Sequence, residues 1–265
     1  MKEIELIKYP DGQINTQVNI FGKQIKHRIN SYEDLFYLAS VRDVQKYNKE
    51  PDLGLFIPCF FGQRSDRRFS ENESFGLKII ADFINSLNFS LVEIFDPHSD
   101  VVMALVNNSY KISSFNFVRR AVGDIRTKHE NDIVLVSPDA GAYKKIFTYS
   151  EMLELPLVAA NKFRDLGGKV TLNVLGDVKD KICLIVDDLL DGGYTFHILG
   201  EKLKEQGASK VFLYISHAYF KSGYNFTTNI DHFYCTNSVK DIGEIYIDSY
   251  GNQHTINNVT QFKIV

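Results

Sequence analysis

Apolar residues along this chain occur in short uninterrupted runs, each bounded by polar or glycine-bearing segments. Runs of this length and composition predict buried strands. We expect strands at residues 53–61, 91–95, 133–136, 157–160, 182–186 and 211–216. Because successive positions in these runs are apolar, the strands are expected to lie in a sheet that is covered on both faces.

Segments with helical spacing of apolar residues lie between these runs. Residues 75–87 predict a helix whose apolar face consists of Ile79, Ile80, Phe83, Ile84 and Leu87. A second helix is expected to run to about Leu153, and a third to follow Thr195 and stop at Gly207. Strands that alternate with helices predict an α/β fold with a mainly parallel sheet flanked by helices.

The polar segment after residues 182–186 carries the most specific chemistry. Its members are Asp187, Asp188, Asp191, Gly192, Gly193, Tyr194 and Thr195. A helix N-terminus preceded by glycines can hold a phosphate through its backbone N–H groups. Two aspartates at a strand end can bind the paired hydroxyls of a ribose, or a metal ion. The combination indicates a phosphorylated sugar, whereas the plainer interpretation is an acidic helix start stabilised by the helix dipole.

Composition and charge narrow the class of protein. The length of 265 residues fits one large or two modest domains, and 44% hydrophobic with 24% charged residues is typical of a soluble globular protein. The net charge of −3 gives no general attraction to nucleic acid or to an anionic membrane. No apolar run approaches the ~20 residues that span a bilayer, and the first residues lack the apolar stretch of a signal peptide.

The three cysteines, Cys59, Cys183 and Cys235, are widely spaced and lie in apolar runs. An odd, scattered set of this kind is not typical of a disulfide framework or of a metal site. We therefore expect a protein of the reducing cytoplasm.

Short motifs in the rest of the chain occur in the order that one enzyme family has. They are residues 9–13 (YPDGQ), 64–67 (RSDR), 96–99 (DPHS), 136–141 (VSPDAG), 162–164 (KFR), 216–223 (SHAYFKSG) and 236–238 (TNS). Together with the DDLLDGGYT loop they resemble the ribose-phosphate pyrophosphokinases, or PRPP synthetases, of the phosphoribosyltransferase superfamily. The resemblance covers nearly the whole chain.

The resemblance implies two tandem phosphoribosyltransferase-like (type I) domains, at residues 1–112 and 113–265. The first would contribute to the ATP site and is expected to be shortened at its start. The second would hold the ribose phosphate loop and a catalytic lid. The implied reaction transfers the diphosphoryl group of ATP to the 1-hydroxyl of a ribose phosphate and releases AMP. The resemblance also implies Mg²⁺ as a cofactor and a homo-oligomer, a dimer or larger.

The functional positions of the family can be carried over to this sequence. The catalytic residues would be Lys162, Arg164 and His98. The metal ligands would be His98 and Asp139. The ATP-binding residues would be Arg64, Asp66, Arg67, Asp11, Gln13 and again His98. Taken singly, residues of these types also fit solvated surface cations, an N-cap aspartate and a Pro-Asp-Gly turn.

The acidic loop departs from the family pattern D-T-[AG]-G-T at two positions. Gly192 stands where the family has a threonine, and Tyr194 stands where it has a glycine. A more open loop with an aromatic ring suits a 5-phosphate that continues into a nucleoside diphosphate. Ribose 5-phosphate and ADP-ribose, the second a metabolite of NAD, are therefore both kept as acceptors. Ser65 and Gln13 also depart from the family, at positions where the nucleotide base is expected.

Two other functions share parts of this pattern. A phosphoribosyltransferase that consumes PRPP has the same acidic loop, but it does not need the DPHS turn or the arginine run. A regulatory, non-catalytic paralogue would keep the fold and lose the catalytic or metal positions, which are all present here. Neither a membrane nor a nucleic acid is expected as a partner.

Overall fold

The computed structural model of the chain describes residues 4–18, 24–52, 54–164, 170–221, 229–243, 245–247, 253–255 and 258–265. The chain divides into two compact units. The first comprises Met1–Ser113 together with Val265, and the second comprises Ser114–Ile264. Within the described parts, no helix has the length and apolar character needed to cross a bilayer.

The first unit is built around a small parallel sheet. Its elements are β1 (Ile4–Lys8), β2 (Ile14–Val18), β3 (Ile25–Lys26), α1 (Tyr32–Tyr47), β4 (Leu55–Ile57), α2 (Gly76–Ser86), β5 (Val92–Phe95), α3 (Asp100–Leu105) and β6 (Ser109–Ile112). The strands β3, β4, β5 and β6 pair in that order, and all three pairs are parallel. The strands β1 and β2 form a separate antiparallel hairpin.

The second unit contains a larger sheet. Its elements are α4 (Phe115–Lys128), β7 (Ile133–Ser137), α5 (Ala140–Leu153), β8 (Leu157–Arg164), β9 (Val170–Leu175), β10 (Ile182–Leu190), α6 (Tyr194–Glu205), β11 (Lys210–Ala218), β12 (His232–Thr236), β13 (Ile245–Ile247), β14 (Gln253–Thr255) and β15 (Val259–Phe262). The sheet order is β15-β12-β11-β10-β7-β8-β9, and only the β8–β9 pair is antiparallel. The expected α/β fold with mainly parallel sheets is confirmed.

The apolar strands of the second unit contribute side chains to two hydrophobic cores, one on each face of the sheet. Along β10, Cys183 and Ile185 face a core that includes Phe196, Leu199 and Leu203 of α6. The intervening residues, Ile182, Leu184 and Val186, face a second core with α4 and α5. Because side chains alternate across a strand, a strand with helices on both faces must be apolar at every position.

The strand ends differ from the sequence prediction. Of the run 53–61, only Leu55–Ile57 is strand, while Leu53 lies outside the described residues. The strands predicted at 157–160, 182–186 and 211–216 instead extend to Arg164, Leu190 and Ala218. Pairing explains the extension, since the polar ends remain bonded to neighbouring strands. Asp187 pairs with Ile215, and Leu189 pairs with His217.

The helix predicted at 75–87 is present as α2, and Ile80 and Ile84 of its predicted apolar face are buried, whereas Ile79 is not. Ile79 is 60% exposed, and the fully buried positions are Leu77, Ile80, Ala81 and Ile84. The buried face of the helix therefore includes Leu77 and Ala81, and Ile79 lies outside it. Two isoleucines in succession cannot both lie at the centre of one helical face, because neighbouring residues are ~100° apart around the axis.

Candidate active site

The carboxyl ends of β7 and β10 bring acidic residues of the second unit to one edge of the sheet. These strands are parallel neighbours, with Ile185 opposite Val136. Asp139 follows the end of β7, and Asp187 and Asp188 lie in the last residues of β10. In open α/β sheets this edge is where ligands bind. The two aspartates were expected in a turn, but they belong to the strand.

Asp187 and Asp188 form an electrostatically strained pair. Asp188 is 8% exposed, and its backbone N–H donates to Oδ1 of Asp187 at 2.8 Å. Burial and the adjacent Asp188 carboxylate raise the pKa of Asp187 well above its ordinary value, with a smaller contribution from Asp139. The ammonium of Lys145, on α5, opposes this shift. The sequence analysis missed Lys145, although its place six residues after Asp139 on the predicted helix was a usable signal.

Replacing Asp187 by Asn should raise the midpoint of thermal unfolding at neutral pH. The raised pKa means that the folded protein holds this proton to a higher pH than the unfolded chain does. Stability is therefore fully present below the unfolded-state pKa and is lost as pH rises through the folded-state pKa. The amide removes the charge and still accepts the Asp188 N–H. A rise of about 2–4 °C would correspond to ~1 kcal/mol in a domain of this size.

Thermal unfolding of both proteins between pH 4 and 8 would test this result. The gain should be largest at neutral pH and should shrink toward pH 4, where both proteins are uncharged at this position. Asp177→Asn is the control with the opposite sign, because a hydrogen bond from Lys181 lowers the pKa of Asp177. A gain for Asp187→Asn that is the same at every pH would contradict the electrostatic explanation.

The loop between β10 and α6 has the geometry of a phosphate cradle. Gly193 is the N-cap of α6 and has a φ of 81°, a left-handed conformation that favours glycine. Tyr194 is 63% exposed at the start of the helix, and Thr195 lies in the first turn. Backbone N–H groups at such a helix start are available donors for an anion.

A cation flanks this loop. The chain after β11 continues along it, since Tyr219 N–H donates to the carbonyl of Leu190 at 2.9 Å and Lys221 N–H to that of Asp191 at 3.2 Å. The ammonium of Lys221 lies 3.1 Å from Oδ1 of Asp191. The loop thus combines glycines, a hydroxyl, an aromatic ring and a nearby positive charge.

Asp139 is the N-cap of α5. Its Oδ1 accepts from Ala142 N–H at 3.0 Å, and Ser137 Oγ donates to the Asp139 carbonyl at 2.8 Å. The helix therefore fixes the carboxylate at the sheet edge. A capping role and an ion-binding role are compatible, because a carboxylate has two oxygens and about four acceptor sites.

Lys162 and Arg164 lie on the backbone of β8, where they pair with Leu172 and Val170 of β9. The sequence prediction placed them after the strand; that placement was wrong, because the antiparallel pairing with β9 carries β8 to Arg164. Their side chains, and residues 165–169 where the lid was expected, lie outside the described parts.

The two C-terminal motifs meet in a buried polar cluster at the ends of β11 and β12. His217 Nδ1 lies 2.9 Å from Ser238 Oγ. The Ser216 carbonyl accepts from the hydroxyls of Thr236 at 2.6 Å and Ser238 at 2.8 Å. All four residues are at most 2% exposed. These hydrogen bonds join the ends of β11 and β12, next to β10 in the sheet. Gly223, the last residue of the first of these motifs, lies outside the described residues.

In the first unit, the arginine run and the DPHS turn lie side by side. Arg64, Arg67 and His98 are exposed, whereas Asp66 is 8% exposed. Burial favours a raised pKa for Asp66, but the Ser99 hydroxyl and the Arg67 guanidinium, whose Nε lies 3.1 Å away, outweigh it and lower that pKa. The run therefore presents exposed cations around an ionised carboxylate, which suits a polyphosphate.

Asp11 and Gln13 lie in the turn of the β1–β2 hairpin. Gln13 N–H donates to Oδ1 of Asp11 at 3.0 Å, and Tyr9 N–H donates to the Gln13 carbonyl at 2.8 Å. Both side chains are exposed. The expected Pro-Asp-Gly turn is present, with Gly12 at a φ of 87°.

The few carboxylates at this edge of the sheet fit a magnesium ion that is held mainly by the phosphates of a bound ligand. Among the described residues, no group of three or more His, Cys, Asp and Glu side chains gathers as a metal site. Mg²⁺ keeps several waters and takes one or two protein carboxylates together with substrate phosphates. Asp188 and Asp139 both repel the carboxylate of Asp187, and a divalent cation at this edge would relieve that repulsion.

Comparison with known proteins places this geometry in a family. A family model described as the phosphoribosyl synthetase-associated domain matches residues 150–242. Ribose-phosphate pyrophosphokinases of Mycoplasma genitalium and Mycoplasma pneumoniae are 29% and 31% identical to the chain over 82% and 71% of its length. Over most of its length the chain is similar to ribose-phosphate pyrophosphokinases. It spans 64% and 57% of the lengths of these two relatives.

A solved structure supports the same fold. The phosphoribosylpyrophosphate synthetase from Mycobacterium smegmatis matches 98% of this chain and 86% of that chain with a TM-score of 0.78. The sequences are 19% identical, so this likeness concerns the fold. The family resemblance inferred from the motifs is confirmed.

Proposed function

We propose that this chain is a pyrophosphokinase that transfers the diphosphoryl group of ATP to the anomeric hydroxyl of a ribose phosphate. The observation that carries the proposal is the edge formed by Asp139, Asp187 and Asp188 beside the glycine-bearing cradle at Gly193. The paired carboxylates would accept the ribose 2- and 3-hydroxyls. The cradle would hold the 5-phosphate through backbone N–H groups.

In this reaction the 1-hydroxyl oxygen attacks the β-phosphorus of ATP. The bond from the β-phosphorus to the oxygen of the α-phosphate breaks, AMP leaves, and the hydroxyl proton is released. The first unit would supply the ATP contacts from Arg64, Asp66, Arg67, Asp11, Gln13 and His98. Lys162 and Arg164 would neutralise charge on the group in transfer. His98 and Asp139 are the proposed ligands of Mg²⁺, which would supply further charge neutralisation.

The acceptor is either ribose 5-phosphate or a ribose whose 5-phosphate is extended, such as ADP-ribose. The exposed ring of Tyr194 and the nearby ammonium of Lys221 favour the extended acceptor. A ring at the mouth of the cradle offers a surface for a larger ligand. With ADP-ribose the product would be its 1-diphosphate, and the activity would belong to NAD metabolism.

Three further properties belong to this proposal. The protein would act as a homo-oligomer, a dimer or larger. Residues 1–112 and 113–265 would be the two phosphoribosyltransferase-like domains. The thiols of Cys59, Cys183 and Cys235 are buried and form no disulfide with one another, which supports an origin in the reducing cytoplasm.

Incubation with ATP, Mg²⁺ and a panel of ribose phosphates, followed by mass spectrometry, tests the proposal. AMP should form only when an acceptor with a free anomeric hydroxyl and a divalent ion are both present. Each AMP should be matched by one acceptor that has gained a diphosphate. Formation of ADP would instead mean transfer of a single phosphoryl group and would contradict the proposal.

The same assay separates the alternative functions. A phosphoribosyltransferase would release diphosphate from PRPP in the presence of a nucleobase and would form no AMP from ATP. A non-catalytic paralogue would bind nucleotide or ribose phosphate without turnover of any acceptor in the panel.

A further inference from the structure

Gln63 is a buried side chain in the first unit that the proposed chemistry does not use. It lies in the loop after β4 and is 2% exposed. Its Oε1 accepts the backbone N–H of His98 at 3.0 Å, and its Nε2 donates to Sγ of Cys59 at 3.5 Å. A buried carboxamide without partners is costly, so one that bonds at both ends links the segments it touches.

The two segments that Gln63 joins carry the candidate ATP-site groups. The strands β4 and β5 are parallel neighbours, with Ile57 opposite Ile94. The loop after β4 continues from Gln63 into Arg64, while the loop after β5 carries His98. The Gln63 bond therefore crosses from one strand-end loop to the next, directly beside the exposed cations.

The Gln63 end of this link is rigid. Gly62 has a φ of 76°, and a Cβ at this position would lie 2.6 Å from Cδ1 of Ile80. Ser65 N–H donates to the Gly62 carbonyl at 2.9 Å, and Leu77 N–H donates to the Ser65 carbonyl at 3.2 Å. The loop is thus fastened to the start of α2, whose buried face packs into the core.

The His98 end, in contrast, needs a restraint. Asp96 has a φ of 40°, although it directly precedes Pro97. Residues before proline normally adopt extended conformations, and a positive φ at a residue other than glycine is strained. Such a turn persists only where its surroundings hold it. Asp96 N–H donates to the Ile112 carbonyl at 2.8 Å on one side, and His98 N–H donates to Gln63 on the other.

We propose that Gln63 is a positioning residue for nucleoside triphosphate binding. It clamps the strained turn that carries His98 against the rigid loop that carries Arg64 and Arg67, so that both loops are ordered before the nucleotide arrives. Preordering lowers the conformational cost of binding. The inference rests on the proposed function for the identity of the ligand, but not for the clamp itself.

Hydrogen exchange of the His98 amide measures the hydrogen bond between His98 and Gln63 directly. In the unmodified protein the amide of His98 should be protected, and in Gln63→Met it should exchange at least about tenfold faster. Met keeps the length and apolar packing of the side chain and removes the acceptor. Gln45→Met is the matched control, because Gln45 is also a buried glutamine of the first unit, 5% exposed, and bonds to Arg42. It should leave His98 protected.

Nucleotide binding measures the consequence. The affinity for Mg²⁺ with a non-hydrolysable ATP analogue, measured by calorimetry, should fall about tenfold in Gln63→Met, or ~1.4 kcal/mol. The KM of the ribose-containing acceptor should stay within about twofold. Gln45→Met should keep the nucleotide affinity even if its unfolding temperature falls equally, because a merely structural cost would not be confined to the nucleotide.

Two further variants keep the test decisive if Gln63→Met does not fold. Gln63→Glu keeps an acceptor for His98 N–H and should retain its protection. Cys59→Ala removes only the weaker thiol end and should retain both protection and affinity. The proposal is overturned if Cys59→Ala reproduces the loss, or if the His98 amide is unprotected in the unmodified protein.

The failure of this inference can be told apart from that of the proposed function. If no acceptor yields AMP, the proposed function fails, while exchange and calorimetry still report on Gln63. If AMP forms but Gln63→Met leaves nucleotide affinity unchanged, the positioning role alone fails. A protected His98 in a protein that does not bind the analogue would also overturn that role.

Discussion

Replacing Lys162 by Ala should lower the kcat of AMP formation by about 10²–10³-fold, the range seen for loss of one donor to a developing charge. In the transition state, negative charge shifts toward the departing oxygen of AMP and is spread over the oxygens of the diphosphoryl group. A cation that meets it only during transfer therefore affects kcat and kcat/KM equally. The KM values of both substrates should change by no more than a few-fold.

The position of Lys162 on the backbone supports this expectation. β8 and β9 form the only antiparallel pair in the described part of the large sheet, and they lie at its edge beyond β7. In the sheet β8 lies directly beside β7, the strand whose end leads to Asp139, and Arg164 lies two residues after Lys162 on β8. Arg164→Ala should give an effect of the same kind.

Lys181→Ala is a matched control for these variants. Lys181 is also a lysine of the second unit, but its ammonium pairs with Asp177 at 2.9 Å on the surface. It should leave kcat unchanged, since Lys181 precedes β10 at the end of the strand opposite to Asp187 and Asp188. A change in KM alone for Lys162→Ala, with kcat intact, would show that Lys162 binds a substrate in its ground state and does not act in the transfer.

Changing Gly192 to Thr and Tyr194 to Gly should shift the acceptor preference toward ribose 5-phosphate. The ratio of kcat/KM for ADP-ribose to that for ribose 5-phosphate should fall about a hundredfold, or ~2.7 kcal/mol. Stacking of a ring on a base is worth about 1–3 kcal/mol, and a hydroxyl donor to a phosphate contributes a similar amount to the competing acceptor. Gly193 stays unchanged, because its φ of 81° disfavours other residues.

Tyr194→Phe separates the ring from the hydroxyl. It keeps the aromatic surface and should keep the preference of the unmodified protein. Tyr47→Ala is a surface control, since Tyr47 is 86% exposed and lies at the end of α1 in the first unit. If the unmodified protein converts ribose 5-phosphate and gives no product from ADP-ribose, the extended acceptor is wrong and Tyr194 has another role.

Several elements of the fold were predictable from local patterns, but their ends were not. Helix α6 follows from the spacing of Phe196, Leu199 and Leu203, all of which are buried. In contrast, Asp187 and Asp188 remain in β10 because β11 continues to pair beside them, which is a contact between residues about 28 positions apart along the chain. The polarity of Asp187 and Asp188 predicted a turn, but their pairing with β11 keeps them in the strand.

The candidate site shows the same division. Residues such as Asp139, Asp187 and Arg64 belong to motifs with a fixed spacing, so a single sequence was enough to propose them. Gln63 and Lys145 belong to no such motif. Their roles depend on which loop or helix lies opposite, namely the turn of His98 for Gln63 and the end of β10 for Lys145. Tertiary neighbours of this kind cannot be read from local composition.

The three cysteines provide the protein with its own unfolding probes. Cys59 lies in the first unit, whereas Cys183 and Cys235 lie in the second, and each is at most 1% exposed. Burial raises the pKa of Cys183 to about 12 and also raises that of Cys235. Because alkylating reagents attack accessible thiolates, each thiol can react only when its surroundings open.

Timed alkylation followed by peptide mass spectrometry would therefore report the opening of each unit separately, without any substitution. Equal rates at all three thiols would mean that the units unfold as one. A faster rate at Cys59 than at the other two would mean that the first unit opens alone, and ATP should then slow its labelling more than ribose phosphate does.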